Sequence, residues 1–133
     1  MSVLLDTHIW VWWLTPQSSL RRAERDGLDI LAERGELFLS AISLWETQVL
    51  HARRRLELPL PFSEWLAQAA DSRIISLLPI DVEVVSALDA LPASFHADPA
   101  DRLIVATARA HVLPLATRDA NIRKSRVVPI WRP

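Results

Sequence analysis

The chain has 133 residues, of which half are hydrophobic and 23% are charged, a balance typical of one globular domain, residues 1–133, with a buried core. It contains no cysteine, which excludes disulfides and thiolate metal sites and makes the cytoplasm the expected compartment. The net charge of −1 excludes a fold-wide attraction to nucleic acid, and no apolar run is long enough to span a bilayer, so no membrane partner is expected.

Short apolar runs alternate with longer amphipathic stretches along the chain. This alternation predicts an α/β fold, a three-layer α/β/α sandwich with about five short, mainly parallel strands. In chain order the predicted strands are residues 3–6, 37–40, 74–78, 115–117 and 127–130. The first predicted helix ends at Pro16, and the others cover residues 19–34, 43–56, 62–70, 81–91 and 102–111. Ser19 is the predicted cap of the second helix and Gly35 its end.

The chain has six tryptophans, which is unusual for its length. Trp10, Trp13 and Trp45 lie at the spacing of helical apolar stripes, which predicts that they pack in the core. Trp12 lies off its stripe and Trp65 lies on the short helix after Pro61, so these two are the candidates for an exposed aromatic groove that a partner would cover.

Acidic residues follow the predicted strands or begin the predicted helices. Asp6 ends the first strand, and Asp119 comes just after the strand at residues 115–117. Glu46 lies one turn into the helix after the second strand, beside an apolar stripe. A local role is the alternative in each case, with Glu46 in a capping box that starts at Ser43 and Asp119 as an N-cap.

The segment from Asp98 to Asp101 is the remaining acidic site, and His96 precedes it by two residues. Asp98 suits the N-cap, Pro99 the first helical position and Asp101 the third, so both carboxylates complement the helix dipole. The same placement directs at least one carboxylate out of the helix start, where a metal ion could bind it.

Parallel strands would bring all of these carboxylates to one crevice at the carboxyl edge of the sheet. Carboxylates packed so closely repel one another and raise each other's pKa unless a cation neutralises them. Mg²⁺ is the expected cation, with Mn²⁺ as the alternative, because hard cations prefer oxygen ligands and no cysteine or paired-histidine cluster offers a zinc site.

Four segments in this order resemble the PIN-domain ribonucleases, specifically the VapC-type toxins of bacterial toxin–antitoxin pairs. They are residues 4–8 (LLDTH), 40–46 (SAISLWE), 96–103 (HADPADRL) and 115–119 (LATRD). The resemblance implies a PIN-like fold in which Asp6, Glu46, Asp101 and Asp119 are the catalytic and metal-binding acids. It also implies supporting roles for Asp98, as a cap or as a group behind the metal ligands, for Thr117 as a hydroxyl near the metal, and for the neighbouring Thr7 and His96.

The resemblance further implies a Mg²⁺-dependent endoribonuclease that cleaves tRNA or rRNA. Asp6 and Asp101 would hold the ion, and Glu46 would help deprotonate the attacking water, while one or two ions remain alternatives. The implied partners are a VapB-like antitoxin, a second copy in a homodimer, and a higher assembly with the antitoxin. Basic residues that would contact RNA phosphates, with a solvated surface as the alternative for each, are Arg102, Arg118, Arg123, Lys124 and Arg126.

Three other classes fit the chain less well. A phospho-acceptor receiver domain needs an acidic pair after strand one and a lysine after strand five, whereas here Thr7 follows Asp6 and Lys124 precedes the last strand. A haloacid-dehalogenase-like phosphatase needs a second aspartate where this chain has His8. A catalytically silent PIN-like binding module is the remaining alternative, and the intact set of acids disfavours it.

Overall fold

The computed structural model describes residues 1–16, 18–95 and 98–133. Its centre is a parallel sheet formed by β1 (Val3–Leu5), β2 (Leu37–Ser40), β3 (Ser76–Leu78) and β4 (Leu115–Ala116), in the order β3-β2-β1-β4. The chain therefore adds β2 on one side of β1 and β4 on the other. In open parallel sheets a ligand crevice forms beside the strand where the winding direction changes, and here that strand is β1.

Seven helices connect or flank these strands in the described ranges, and none of them is both long and apolar enough to cross a membrane. They are α1 (Thr7–Trp13), α2 (Arg22–Glu33), α3 (Ala41–Ala52), α4 (Phe62–Ala69), α5 (Val82–Asp89), α6 (Pro99–Ala110) and α7 (Ala120–Ser125). Gly35 ends α2 in the left-handed region, at φ 66°, as its sequence position predicted.

Helices cover both faces of the sheet, which confirms the predicted three-layer α/β/α sandwich. Side chains alternate along β1, so Val3 and Leu5 join one apolar cluster while Leu4 joins the other. The first cluster contains buried side chains of α1, α2 and α4, and the second contains those of α5 and α6. With apolar contacts on both sides, the short strands are fixed in register.

The predicted fifth strand at residues 127–130 is reduced to one parallel bridge between Ile130 and Leu115. The Leu115 N–H donates to the Pro129 carbonyl at 2.9 Å, and the Trp131 N–H donates to the Leu115 carbonyl at 2.9 Å. Pro129 itself has no N–H, so the ladder cannot continue through it. Within the described part of the chain the sheet thus has four strands, where about five were predicted.

Two predicted helix starts are wrong. The structure begins α2 at Arg22, after an N-cap at Arg21, so Ser19 is not its cap. It begins α3 at Ala41, where the Ser40 hydroxyl accepts the Ile42 N–H at 3.2 Å. Since Ser43 lies inside α3, the capping box proposed to explain Glu46 does not exist.

Two of the tryptophan predictions are also wrong. Trp45 is 56% exposed because the buried line of α3 runs through Ser43 and Thr47 instead. Trp65 is buried and lies against Trp10, with ring centroids 5.3 Å apart. Trp10 is fully buried, as predicted, and its indole N–H donates to the Ala69 carbonyl at 3.0 Å.

Candidate functional site

A cavity of about 360 Å³ opens at the carboxyl edge of the sheet. The residues that line this acidic cavity are Asp6, His8, Trp12, Glu46, Asp98, Asp101, Arg118 and Asp119. Asp6 arrives there because it directly follows β1, and Asp119 because it follows β4. The structure therefore brings together the four acids predicted as catalytic and Asp98, the acid predicted to support them.

Asp6 is the most buried acid of the cavity, with 5% of its surface exposed. The Thr117 hydroxyl donates to Asp6 Oδ2 at 2.6 Å and accepts the Asp119 N–H at 3.0 Å, so one hydroxyl joins two of the acids. Burial raises the pKa of Asp6, and the Thr117 hydrogen bond and the nearby His8 oppose that rise. Asp119 adds to it as a second negative charge. Neutralisation by a cation would remove this unfavourable charge.

We expect Thr117→Val to lower the free energy of unfolding by about 1–3 kcal/mol, because it leaves buried Asp6 and the Asp119 N–H without their shared partner. Thr117→Ser, which keeps the hydroxyl, is the matched control and should lose less. Urea unfolding of both variants measures the difference. Equal losses would show that the hydroxyl does not organise the two acids.

Glu46 lies in α3 with its Oε1 atom buried and without a hydrogen-bond partner among the described residues. Burial raises the pKa of Glu46, the Thr7 hydroxyl lowers it, and the charge of Asp6 raises it again. Thr7 itself shares a hydrogen bond of 2.8 Å with the buried Ser43 hydroxyl, so its position is fixed. A buried carboxylate oxygen without a donor is costly, and a cation is one way to satisfy it.

Glu46, Asp98 and Asp101 each offer an oxygen, and these oxygens lie within 4.8 Å of one another. Asp98 is the N-cap of α6, as predicted, because its Oδ1 accepts the N–H groups of Ala100 at 2.9 Å and Asp101 at 3.2 Å. A carboxylate has two oxygens, so capping leaves Asp98 able to bind a metal as well. The three acids together fit a hard divalent cation.

Asp119 also has the local role predicted for it. Its Oδ1 accepts the Ile122 N–H at 2.9 Å and so caps α7. Asp6 and Asp119 lie outside the 4.8 Å group, although they line the same cavity. The acids therefore form two neighbouring sets. Asp6 and Asp119 are joined by Thr117, and Asp98 and Asp101 lie with Glu46.

The five predicted RNA-contacting residues do not lie together. Arg118 lines the acidic cavity, whereas Arg102 lines an apolar groove between α5 and α6 and donates to the Phe95 carbonyl at 2.7 Å. Arg123 donates to the Thr117 carbonyl at 3.0 and 2.8 Å. Lys124 and Arg126 line two further surface pockets. The supporting residue His96 lies outside the described residues.

Three residues that contribute to this region were not predicted from the sequence as parts of the site. His8 and Trp12 line the cavity, and their spacing of four residues places them on the same side of α1. Glu24 is buried on α2. Its spacing from Leu28 and Leu31 was the available signal, since an acid at four and seven residues from two buried leucines lies on the buried face.

Known proteins resemble this chain over nearly its whole length. The PIN domain family model matches residues 3–127. Ribonuclease VapC22 of Mycobacterium tuberculosis is 37% identical over 134 residues, which cover 98% of each chain.

Solved structures show the same fold. VapBC2 from Rickettsia felis, bound to a DNA fragment from its promoter, matches with a TM-score of 0.73 at 17% identity, covering 98% of both chains. FitAcB from Neisseria gonorrhoeae matches with a TM-score of 0.66 at 26% identity, covering 98% of this chain and 97% of that one. With the family model and the full-length relative, these matches show that the chain belongs to the PIN-domain family and, within it, to the VapC ribonucleases.

Proposed function

We propose that this chain is a cytoplasmic, Mg²⁺-dependent endoribonuclease, with Mn²⁺ as an alternative ion, and that it is the toxin of a VapBC-type pair. Its substrates are phosphodiester bonds of tRNA or rRNA. The observation that carries the proposal is the buried Glu46 Oε1, which has no partner among the described residues in a cavity lined by five carboxylates. Such a cavity is unfavourable as a structural element alone and suits a cation-dependent reaction.

The donor set fits Mg²⁺ because it consists of carboxylate oxygens. Glu46, Asp98 and Asp101 would hold the ion through their grouped oxygens, with Asp6 and Asp119 on the adjoining wall of the cavity. When bound, the ion supplies charge neutralisation at the scissile phosphate and a lowered pKa for water in the site.

The side chains supply orientation and proton transfer. Glu46, a carboxylate that lines the same cavity, accepts a proton from the attacking water. Thr117 holds Asp6 in one orientation through its 2.6 Å hydrogen bond. Asp6 and Asp119 then keep the water in line with the phosphorus–oxygen bond that breaks.

The proposed partners are a VapB-like antitoxin and a second copy of the chain. The similar structures include VapBC2 and FitAB, each bound to DNA. In this chain the surface beside β3 and α5 exposes the apolar side chains of Leu77, Ile80, Val82 and Val85, as expected for a surface that another protein covers.

Purified, antitoxin-free protein incubated with total RNA tests the proposed activity. New RNA ends should appear with Mg²⁺ and be absent with EDTA, and sequencing of these ends identifies the target. Failure to produce ends under either condition would support the silent binding module instead.

We expect Mg²⁺ to raise the Tm of the protein, because an ion that binds only the folded state stabilises it by RT ln(1 + [Mg²⁺]/Kd). Glu46→Gln should diminish this shift, since it removes one charged oxygen from the group of three. Glu83→Gln on the exposed side of α5 is the matched control and should retain the full shift. The same shift in all three proteins would place the ion elsewhere.

A further inference from the structure

Among the described residues, Arg118 is the arginine that lines the acidic cavity. Its side chain is 32% exposed. Its Nη2 forms an ion pair with Glu24 on α2, and its guanidinium carbon lies 5.6 Å from the centroid of the Trp12 ring. Glu24 does not line the cavity. Arg118 is thus paired with an acid that lies outside the acidic cavity.

Glu24 is itself firmly placed, with 6% of its surface exposed. The oxygen that accepts from Arg118 also accepts the backbone N–H of Arg21 at 2.9 Å and the Arg21 Nε–H at 3.1 Å. Burial by itself raises the pKa of Glu24, but the hydrogen bonds from Arg21 and Arg118 outweigh it and lower the pKa. Glu24 is therefore ionised at neutral pH and pairs with Arg118 as a full charge.

Trp12 is the second support of Arg118, and its backbone is also fixed. The Trp12 carbonyl accepts the Ser18 hydroxyl at 2.7 Å and an Arg25 N–H at 3.2 Å. The same Arg25 guanidinium donates to the Trp13 carbonyl at 3.1 Å. The end of α1 is thereby tied to α2, the helix that carries Glu24.

We propose that Glu24 and Trp12 orient Arg118 to bind an RNA phosphate beside the cleaved one, which makes Glu24 a positioning residue for RNA binding. The inference rests on the proposed ribonuclease function. A guanidinium carries five N–H donors in a rigid plane and binds phosphate in a fork, and the bond to Glu24 engages one of its nitrogens.

Charge gives the reason for this arrangement. Five carboxylates line the cavity that must receive a polyanion, and the chain as a whole carries a net charge of −1. Without other contacts, a cationic side chain at that cavity would be drawn to these acids. The pair with Glu24 and the Trp12 ring hold Arg118 where a phosphate can reach it.

Affinity for a labelled single-stranded RNA of mixed sequence tests the inference, measured with Mg²⁺ in the Asp6→Asn background so that the RNA stays intact. Arg118→Ala should weaken binding about tenfold, as expected for a lost charge-assisted contact. It should also reduce the slope of log Kd against log salt by about 0.7. Glu24→Gln keeps an oxygen for the Arg21 N–H but loses the charge, and should weaken binding about threefold.

The decisive measurement is the double variant. If Glu24 acts through Arg118, Glu24→Gln will have no further effect on affinity once Arg118 is alanine. In the active enzyme the same single change should raise KM with kcat unchanged. An equal loss in both backgrounds would mean that Glu24 only caps α2, and it would overturn the inference.

Two exposed residues of α2, Arg22 and Asp26, form a weak surface ion pair and provide matched controls. Arg22→Ala removes a positive charge, as Arg118→Ala does, and Asp26→Asn removes a negative charge, as Glu24→Gln does. Both should leave RNA affinity and its salt dependence unchanged. Normal cleavage by the unsubstituted chain, with equal affinity in the Arg118→Ala variant, would overturn this inference alone. No cleavage and no RNA binding by the unsubstituted chain would overturn the proposed function as well.

Discussion

Asp6→Asn is expected to reduce Mg²⁺-dependent RNA cleavage by at least about a hundredfold, because groups that only support metal ligands already cost 10–100-fold when lost. The same change should raise the Tm of the metal-free protein. Asp6 is buried beside Asp119, and its pKa is raised, so its ionised form destabilises the fold at neutral pH. Asparagine can still accept the Thr117 hydroxyl and carries no charge.

The pH dependence of stability follows from the same shift. Because burial raises the pKa of Asp6 in the folded state, the folded form binds the proton more tightly than the unfolded form does. The contribution of Asp6 to stability therefore improves as the pH falls through that raised pKa, and Asp6→Asn should abolish this part of the profile. For a chain of this length each 1 kcal/mol gained corresponds to about 3–5 °C in Tm.

Asp26→Asn on exposed α2 is the control for both measurements and should change neither cleavage nor Tm. Calorimetry in EDTA and cleavage of total RNA in Mg²⁺ test the two effects separately. Cleavage that persists in Asp6→Asn would contradict the proposed site. A lowered Tm in EDTA would mean that the Asp6 carboxylate stabilises the fold.

Trp10→Ala is expected to lower the free energy of unfolding by about 3–5 kcal/mol, the usual cost of truncating a buried large aromatic side chain. Trp10 is fully buried in the cluster beneath α1 and stacks obliquely on Trp65. The change also leaves the Ala69 carbonyl without its indole donor. Since α1 begins at Thr7, directly after Asp6, a loosened α1 should disturb the acidic cavity too.

Trp45→Ala is the matched control, because Trp45 is exposed on α3 and the same truncation there should cost about 0.5 kcal/mol or less. Urea unfolding followed by circular dichroism measures both variants. Similar losses in the two would mean that the aromatic column of Trp10 and Trp65 is not a principal support of the fold.

The sequence predicted that the acids of the site converge on one crevice, because their positions depend on local rules. Asp6 ends an apolar strand, and Asp98 and Asp119 cap helices that follow. Parallel pairing then brings such positions to one edge of the sheet, whatever the details of packing. The family resemblance selected the same acids, and the structure added that Asp98 lies with Glu46 and Asp101.

The sequence failed where a residue's environment depends on distant parts of the chain. The Arg118–Glu24 pair joins positions 94 residues apart, and no local pattern announces it. Trp45 was expected in the core and Trp65 was a candidate for exposure, but the structure reverses both, because the orientation of α3 and α4 on the sheet decides which face is covered. The strand predicted at residues 127–130 is reduced to a single bridge, because Pro129 interrupts the pairing that its apolar neighbours favoured.

The order of the strands also determines when the acidic cavity can form during synthesis of the chain. The hydrogen bond from Thr117 to Asp6 spans 111 positions, and β1, the first strand, must pair with β4 on one side. During translation the N-terminal acids are made first but have no cavity until β4 and the residues after it have emerged. A nascent chain therefore lacks a complete acidic cavity until synthesis has passed β4, and a chain truncated before β4 should not cleave RNA.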